Sequence, residues 1–570
     1  MYIEAVPNRN SRPAILLREG WREGNRVRKR TIANLSHWST EKVENLRRVL
    51  KNEPLVSATE MFLIEESLPH GHVEAVLGTI KKIGLDRMIA SKPCRESALV
   101  LAMLTEQLIH PSSKLGTTRL WSTTTLASEL EVQGADEDDL YAAMDWLARR
   151  QSRIEKKLAA RHLSEGAQVL YNVSSSYYEG RTCSLAQFGH DRDKKKGKRI
   201  IVSGAMTDAD GRPIAIQVYP GNTGDPTTVP EQVHKLRRRF GLERVVLVGD
   251  RGMLTQTQID AVKSHPGLGW ISALKFRSIR KLADDDCLQL SLFDERNLAE
   301  ISSPDFPQER LIVCKNPLLA AERHRKRDEL LAATETGLEK IVKEVARRTK
   351  TPLTAAEIAK KVGKVSHRFK MDKHFKMTIE DNLFHYQRDE VSIKREVELD
   401  GIYVIRTSEP IEQLSPEDVV RNYKNLSRVE QLFRTIRGID RVARPIRHRN
   451  ENRVHAHFFL CMLTYYIKWH MRKALAPLLF DDEELDADRL TRDPVAPAQP
   501  SDSAKRKKSA RRTEDGPLYS LHSFDTLLAA LATRCRNRCR VQSDTNSPSF
   551  HLLTEPNPFQ ERAFQLLGLQ

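Results

Sequence analysis

A chain of 570 residues exceeds what one hydrophobic core organises, and at roughly 100 to 200 residues per domain it predicts about three or four structural units. With 39% hydrophobic and 30% charged residues the composition is that of a folded water-soluble protein, and no run of about 18 apolar residues offers a membrane span. The formal net charge of +17 favours polyanionic partners, nucleic acid foremost, without saying what is done to them.

The N-terminal stretch MYIEAVPNRNSRP has no basic region followed by an apolar one, so no secretion signal is expected. Seven cysteines without framework spacing fit a reducing compartment, and the expectation is a cytoplasmic, nucleoid-associated protein with no membrane contact. Cys535 and Cys539, in RCRNRCR, are the one tight pair. No second pair completes a zinc set, and the surrounding arginines oppose a cationic metal.

Residues 11–35 predict a hairpin turned at REGN, whose second strand carries Arg26, Arg28, Lys29 and Arg30. It is either a charge-protected edge or a ribbon that contacts DNA. From about 60 to 165 the apolar spacing is helical, as in RESALVLAMLTEQLIH. The texture then turns to strands: AQVLYNVSS, KRIIVSGAMTDADGRPIAIQVYPG with a turn at DADG, and RVVLVGDRG. A helix, TQTQIDAVKSH, and a strand, GWISALKF, follow. This order predicts an α/β fold with helices packed on a mixed sheet.

Between about 276 and 400 the pattern is interrupted by strand-like ERLIVCK and EVSIKREVEL around a charged helical stretch, an inserted segment. GIYVIRTS resumes the buried-strand texture. SPEDVVRNYKNLSRVEQLFRTIRGI predicts one helix capped by Ser415, and VHAHFFLCMLTYYIKWHMRKAL a core helix. RDPVAPAQPSDSAKRKKSARRTEDGP, beyond about 490, predicts a disordered basic linker.

Three positions suit a metal site built on a sheet. Asp250 ends an apolar strand where the backbone leaves the sheet, with glycines nearby that allow close approach. Glu430 lies seven residues from both Tyr423 and Arg437, nearly two helical turns, so the three are expected on one face. Asn172 sits on the first strand, in YNVSSSYYEG, where a third carboxylate would complete the set. Singly, a strand-end aspartate is often a turn former and a helical Glu beside Arg a solvated ion pair.

The segments YIEAVPNRNSRPAILLRE, YNVSSSYYEG, VVLVGDRGML, YKNLSRVEQLFRTIR and RPIRHRNENRVHAHFFLCMLTYY, in this order, resemble the DDE transposases of bacterial insertion sequences. The similarity lies in the IS-four superfamily, closest to its sixteen-thirty-four-like branch, and covers about residues 1–475. It implies an RNase H-like mixed-sheet catalytic core with an inserted α+β domain, an N-terminal β-hairpin and an all-α N-terminal region. On this reading the divisions are 1–60 (basic ribbon), 61–165 (helical DNA-binding or dimerisation region), 166–275 and 401–475 (the two parts of the core), 276–400 (insertion) and 476–570 (basic linker and C-terminal segment).

The resemblance further implies a catalytic, metal-binding triad of Asn172, Asp250 and Glu430, with Asn172 standing where the family has aspartate. It implies two Mg²⁺ ions, for which Mn²⁺ substitutes, and as partners the terminal inverted repeats and target DNA, bound by a homodimer. Tyr423 matches the tyrosine of the family's helix signature, while Leu426 and Arg437 replace its arginine and lysine. Lys424, Arg434, Arg437, Arg444, Arg447 and Arg449 are the expected phosphate contacts around and after the glutamate. Loss of the aspartate charge predicts a chain that binds DNA but cuts it poorly or not at all. The alternative is a catalytically silent, transposase-derived DNA-binding protein; a stand-alone nuclease is disfavoured by the modules outside the core.

Overall fold

The computed structural model describes residues 1–570 except 10, 54–61, 193, 194, 196, 286, 289–292, 294–296, 440–445, 514–516, 542–547, 570 and the side chains of 437–439. The chain forms two units, one of Met1–Pro69 and Arg534–Glu555, the other of His70–Thr533 and Pro556–Gln570.

In the first unit, β1 (Tyr2–Val6), β2 (Ala14–Glu23) and β3 (Arg26–Asn34) form an antiparallel sheet in that order. The β2–β3 hairpin turns on Gly24 and Asn25, and Gly24 adopts φ +63°, the left-handed region that glycine enters without steric cost. Cross-strand carboxylates face its cations: Arg28 is 2.7 Å from Glu23, Arg30 3.0 Å from Glu19 and Lys29 3.3 Å from Glu4. β4 (Phe62–Pro69) is a strand at the start of the stretch expected to be helical from about 60.

The second unit holds a mixed sheet of eight strands. β5 (Ala167–Tyr177), β6 (Ile200–Asp208) and β7 (Pro213–Pro220) form an antiparallel meander. β8 (Val245–Val248) pairs parallel with β5 on its other side, and β9 (Leu268–Ala273) parallel with β8. β10 (Leu298–Ile301) and β11 (Arg310–Lys315) come from the inserted segment. That segment also contains a separate hairpin, β12 (Phe375–Glu380) and β13 (Leu383–Arg388). With β14 (Ile402–Thr407) against β9, the sheet order is β10-β11-β14-β9-β8-β5-β6-β7. The last strands, β15 (Cys535–Val541) and β16 (Phe550–Leu553), belong to the first unit, where β15 lies between β4 and β16. Cys535 and Cys539 are four residues apart on extended β15, about 13 Å at the strand rise, too far to share a zinc ion.

Alternation along β5 divides the core. Val169, Tyr171 and Val173 pack with helices Val229–His234 and Gln256–Lys263 on one face, while Leu170 joins the cluster on the other. That second cluster is centred on the helix Glu451–Leu475, buried on nearly every side from Val454 to Leu475, around which the helices of 71–162 assemble. Each of its larger side chains, Phe458, Phe459 and Tyr466 among them, contributes about 1.5–3 kcal/mol by leaving water.

Local signals misread from pattern alone are corrected by caps and tertiary partners. EVSIKREVEL, expected as a strand because of its branched residues, is the helix Glu390–Val397, started by Asp389, whose carboxylate accepts the Ser392 N–H at 3.2 Å. The expected linker contains the helix Asp502–Ala510, capped by Ser501 (Oγ to Ala504 N–H, 3.0 Å). It is anchored by buried Lys507, which reaches Glu483 and the Ala476 carbonyl. Val495 in the same stretch is also buried. Among the described residues no helix is long and apolar enough to cross a membrane.

Buried Glu155 joins the helix Gln151–His162 to the sheet. Its Oε1 accepts from Gln151 at 2.8 Å and from the Ile216 N–H at 3.2 Å, and its Oε2 lies 3.4 Å from both Lys235 and Arg239. Glu155→Ala leaves the buried Lys235 ammonium without this partner and is expected to cost about 3–5 kcal/mol of stability in urea unfolding. A loss below about 1 kcal/mol would show that the charge is relieved by solvent.

Candidate active site

The register of β5 and β8 sets the site. Leu170 and Val248 are the last pair of the parallel β5–β8 ladder, so Asn172, midway along β5, and Asp250, just past the end of β8, each lie two residues beyond the same rung. Asn172 is half-buried, and its Oδ1 accepts the Val173 N–H at 2.7 Å. Asp250 ends its strand in a side-chain turn, its Oδ1 accepting the N–H groups of Gly252 (2.7 Å) and Met253 (2.9 Å). A Cβ at Gly252 would lie 3.2 Å from that oxygen, a tight contact that the carboxylate would have to shift to relieve.

The third residue arrives on the helix Leu426–Ile439. Its buried stripe of Leu426, Val429, Leu432, Phe433 and Ile436 packs in the same cluster as Leu170 of β5. Glu430 lies off this stripe with 55% of its side chain exposed, 3.5 Å from Arg434 one turn on. The single helix expected from Ser415 is instead two, Pro416–Lys424 and Leu426–Ile439, separated at Asn425. Tyr423 and Glu430 therefore do not share one continuous helical face.

The Tyr423 phenol is pushed up to about 12 by burial, with the charges of Asp250 and Glu430 adding and Arg251 opposing. Both carboxylates thus act on one phenol. Among the described residues no group of three or more His, Cys, Asp or Glu side chains could hold a metal ion. The three residues expected from the sequence to bind metal are two carboxylates and one amide, one anionic donor fewer than a carboxylate triad would offer a two-metal centre.

Residues 178–467, about half of the chain, match the family profile described as "Transposase DDE domain", and residues 3–58 match "IS1634 family transposase, N-terminal domain". This chain belongs to the DDE transposases, in the IS1634 branch. A similar solved structure is titled "Cryo-EM structure of piggyBac transposase synaptic complex with hairpin DNA"; it is 9% identical, with 70% of this chain and 72% of that one covered and a TM-score of 0.36. A comparison with curated proteins finds no match. Asn172 lies just ahead of the segment matched to the DDE domain.

The expected DNA contacts of this transposase fall into distinct settings. Arg434, Arg447 and Arg449 are exposed, with Arg447 3.5 Å from Glu179. Lys424 instead turns inward, donating to the carbonyls of Val495 (3.1 Å) and Ala496 (2.8 Å). Arg444, the Arg437 side chain and Asp193 lie outside the described residues. Of the hydroxyls after Asn172, buried Ser175 holds the following loop, accepting the Arg192 N–H at 3.1 Å.

Arg428 is a positioning residue that the sequence did not single out. Two residues before Glu430, it donates to the Ala209 carbonyl at 2.7 Å and to Asp210 at 3.2 Å, tying the helix to the β6–β7 turn. Gly211 makes this possible, at φ +83° with room for a Cβ only 2.9 Å from the Arg428 Cβ. The DADG turn was the only local signal.

Proposed function

We propose that this DDE transposase binds the terminal inverted repeats of a bacterial insertion sequence as double-stranded DNA, acts as a homodimer on end and target DNA, and in its Asn172 form cleaves poorly or not at all. The observation that carries this reading is the parallel β5–β8 register, which sets Asn172 and Asp250 two residues beyond the same rung on adjacent strands. The sheet order supports an RNase H-like core. Its antiparallel meander β5-β6-β7 continues through two strands parallel to β5, and the acidic positions follow the first strand, the fourth strand and a late helix.

DDE transposase domains generally depend on a divalent metal, and Asn172, Asp250 and Glu430 are the residues assigned to Mg²⁺ or Mn²⁺. The amide at 172 supports the second reading, a silent protein that retains DNA binding, because an uncharged ligand cannot offset the repulsion of two dications. The basic ribbon, with Arg26, Arg28, Lys29 and Arg30, is assigned to end recognition. A titration of labelled duplexes tests this: those carrying the element's terminal repeats are expected to be retained over shuffled duplexes of the same composition. Equal retention of the two would remove end recognition from the proposal.

A further inference from the structure

Beyond the far end of β5 lies a second basic site, apart from the carboxylates. Ile446 pairs with the strand end, accepting the Glu179 N–H at 2.9 Å and donating its own N–H to the Tyr177 carbonyl at 3.2 Å. The residues that follow border a cavity of about 470 Å³, closed on its other sides by residues 112–114 and Tyr141. Arg447 and Arg449 stand exposed at its edge, and the Arg453 guanidinium lies 4.5 Å over the Tyr141 ring.

The interior of this cavity is built around buried nitrogen. Lys114 is only 6% exposed, and His457 only 2%. The imidazoles of His448 and His457 lie 5.1 Å apart, and burial followed by nearby positive charge, that of Lys114 included, holds both in the neutral form. Among the described residues the His457 Nδ1 and the Arg453 Nε are buried without a hydrogen-bond partner. A buried polar atom left in this state is destabilising, and an acceptor in the cavity would offset that. Two carboxylates lie beside the cavity's arginines, Asp145 at 3.5 Å from Arg453 and Glu179 at 3.5 Å from Arg447. Cations around neutral donors suit an oxyanion, and the volume admits one with its flanking sugars.

We propose that this cavity seats a single backbone phosphodiester of bound DNA, held by Lys114, Arg449 and Arg453 together with the His457 Nδ1. The proposal rests on the DNA-binding function above. From Asn172 to Tyr178, where the pairing with Ile446 begins, the strand advances about 20 Å. For a duplex lying along β5, at a rise of about 3.4 Å per base pair, this places the seated phosphate about six base pairs from the reacting one.

The test uses the full chain and labelled terminal-repeat duplexes with one neutral methylphosphonate placed at successive positions. In the wild type, one position about six nucleotides from the cleavage point is expected to weaken binding about tenfold. Arg449→Ala and Lys114→Gln are each expected to weaken binding to unmodified DNA by a similar factor and to lower the salt slope by about one, and to be indifferent to that methylphosphonate. Arg449 is exposed, so its variant remains informative if Lys114→Gln fails to fold. Wild-type DNA binding with Arg449→Ala equal to wild type at every position overturns the inference and leaves the transposase reading standing. Uptake of inorganic phosphate by the DNA-free protein, combined with that equality, assigns the cavity to free phosphate instead. A wild type that binds no DNA overturns the transposase reading itself.

Discussion

Asn172→Asp is expected to raise divalent-metal-dependent nicking of a terminal-repeat duplex by several orders of magnitude. The two side chains are nearly isosteric and residue 172 is half-buried, so the exchange disturbs little packing while adding the missing anionic ligand. In a two-metal centre with ions about 3.5–4 Å apart, a shared carboxylate offsets their mutual repulsion, which a neutral amide cannot do. A loss of several kcal/mol is in proportion to such a ligand, and about 1.36 kcal/mol corresponds to tenfold in rate. Asp250→Asn and Glu430→Gln, each added to the Asn172→Asp chain, are expected to silence it again. The measurement is Mg²⁺-dependent nicking of the two forms side by side. Equal rates would remove residue 172 from the ligand set and shift attention to Glu179, Asp191 and Asp193. Of these, Glu179 is engaged by Lys198 at 3.6 Å and Arg447 at 3.5 Å, and Asp191 accepts the Lys195 N–H.

Affinity for duplex DNA is expected to fall by about a thousandfold or more between about 50 and 200 mM salt, the loss produced by about six to ten phosphate contacts. The net charge of +17 and the exposed arginines at 434, 447 and 449 supply cations for such contacts. The ribbon adds more, because exposed pairs such as Arg28–Glu23 and Arg30–Glu19 stabilise by only about 0–1 kcal/mol and yield readily to a phosphate. Fluorescence anisotropy across a salt series measures the slope. A binding constant that stays flat over this range would count decisively against a phosphate-dominated interface.

Much of the local structure around the candidate site was legible in the sequence because its signals are short-range. VVLVGD marks a strand whose end exposes a carboxylate, Ser415 marks a helix start, and alternation in QVLYNVSSSYY marks a strand with Asn172 upon it; each is decided by neighbours within a few residues. The same locality explains the errors. Apolar spacing runs through Asn425 without interruption, but Val419 and Val420 pack beside β9 and β14 while Leu426 and Val429 pack toward β5, and the chain bends to satisfy both. Lys424 looked like a free cation until residues 495 and 496 supplied carbonyls for it.

By itself, then, the sequence determined the charge, most of the strand and helix types, the family resemblance and the amide at 172. Only the tertiary structure set Asn172 and Asp250 two residues beyond the same rung through a parallel register between distant segments, tied Glu430 to the β6–β7 turn through Arg428, and gathered Lys114, Tyr141 and His457 around one cavity. Local patterns reflect interactions between residues close in the chain. Register comes instead from burial of β5 between two core clusters, where a one-residue slip would exchange the side chains of its two faces.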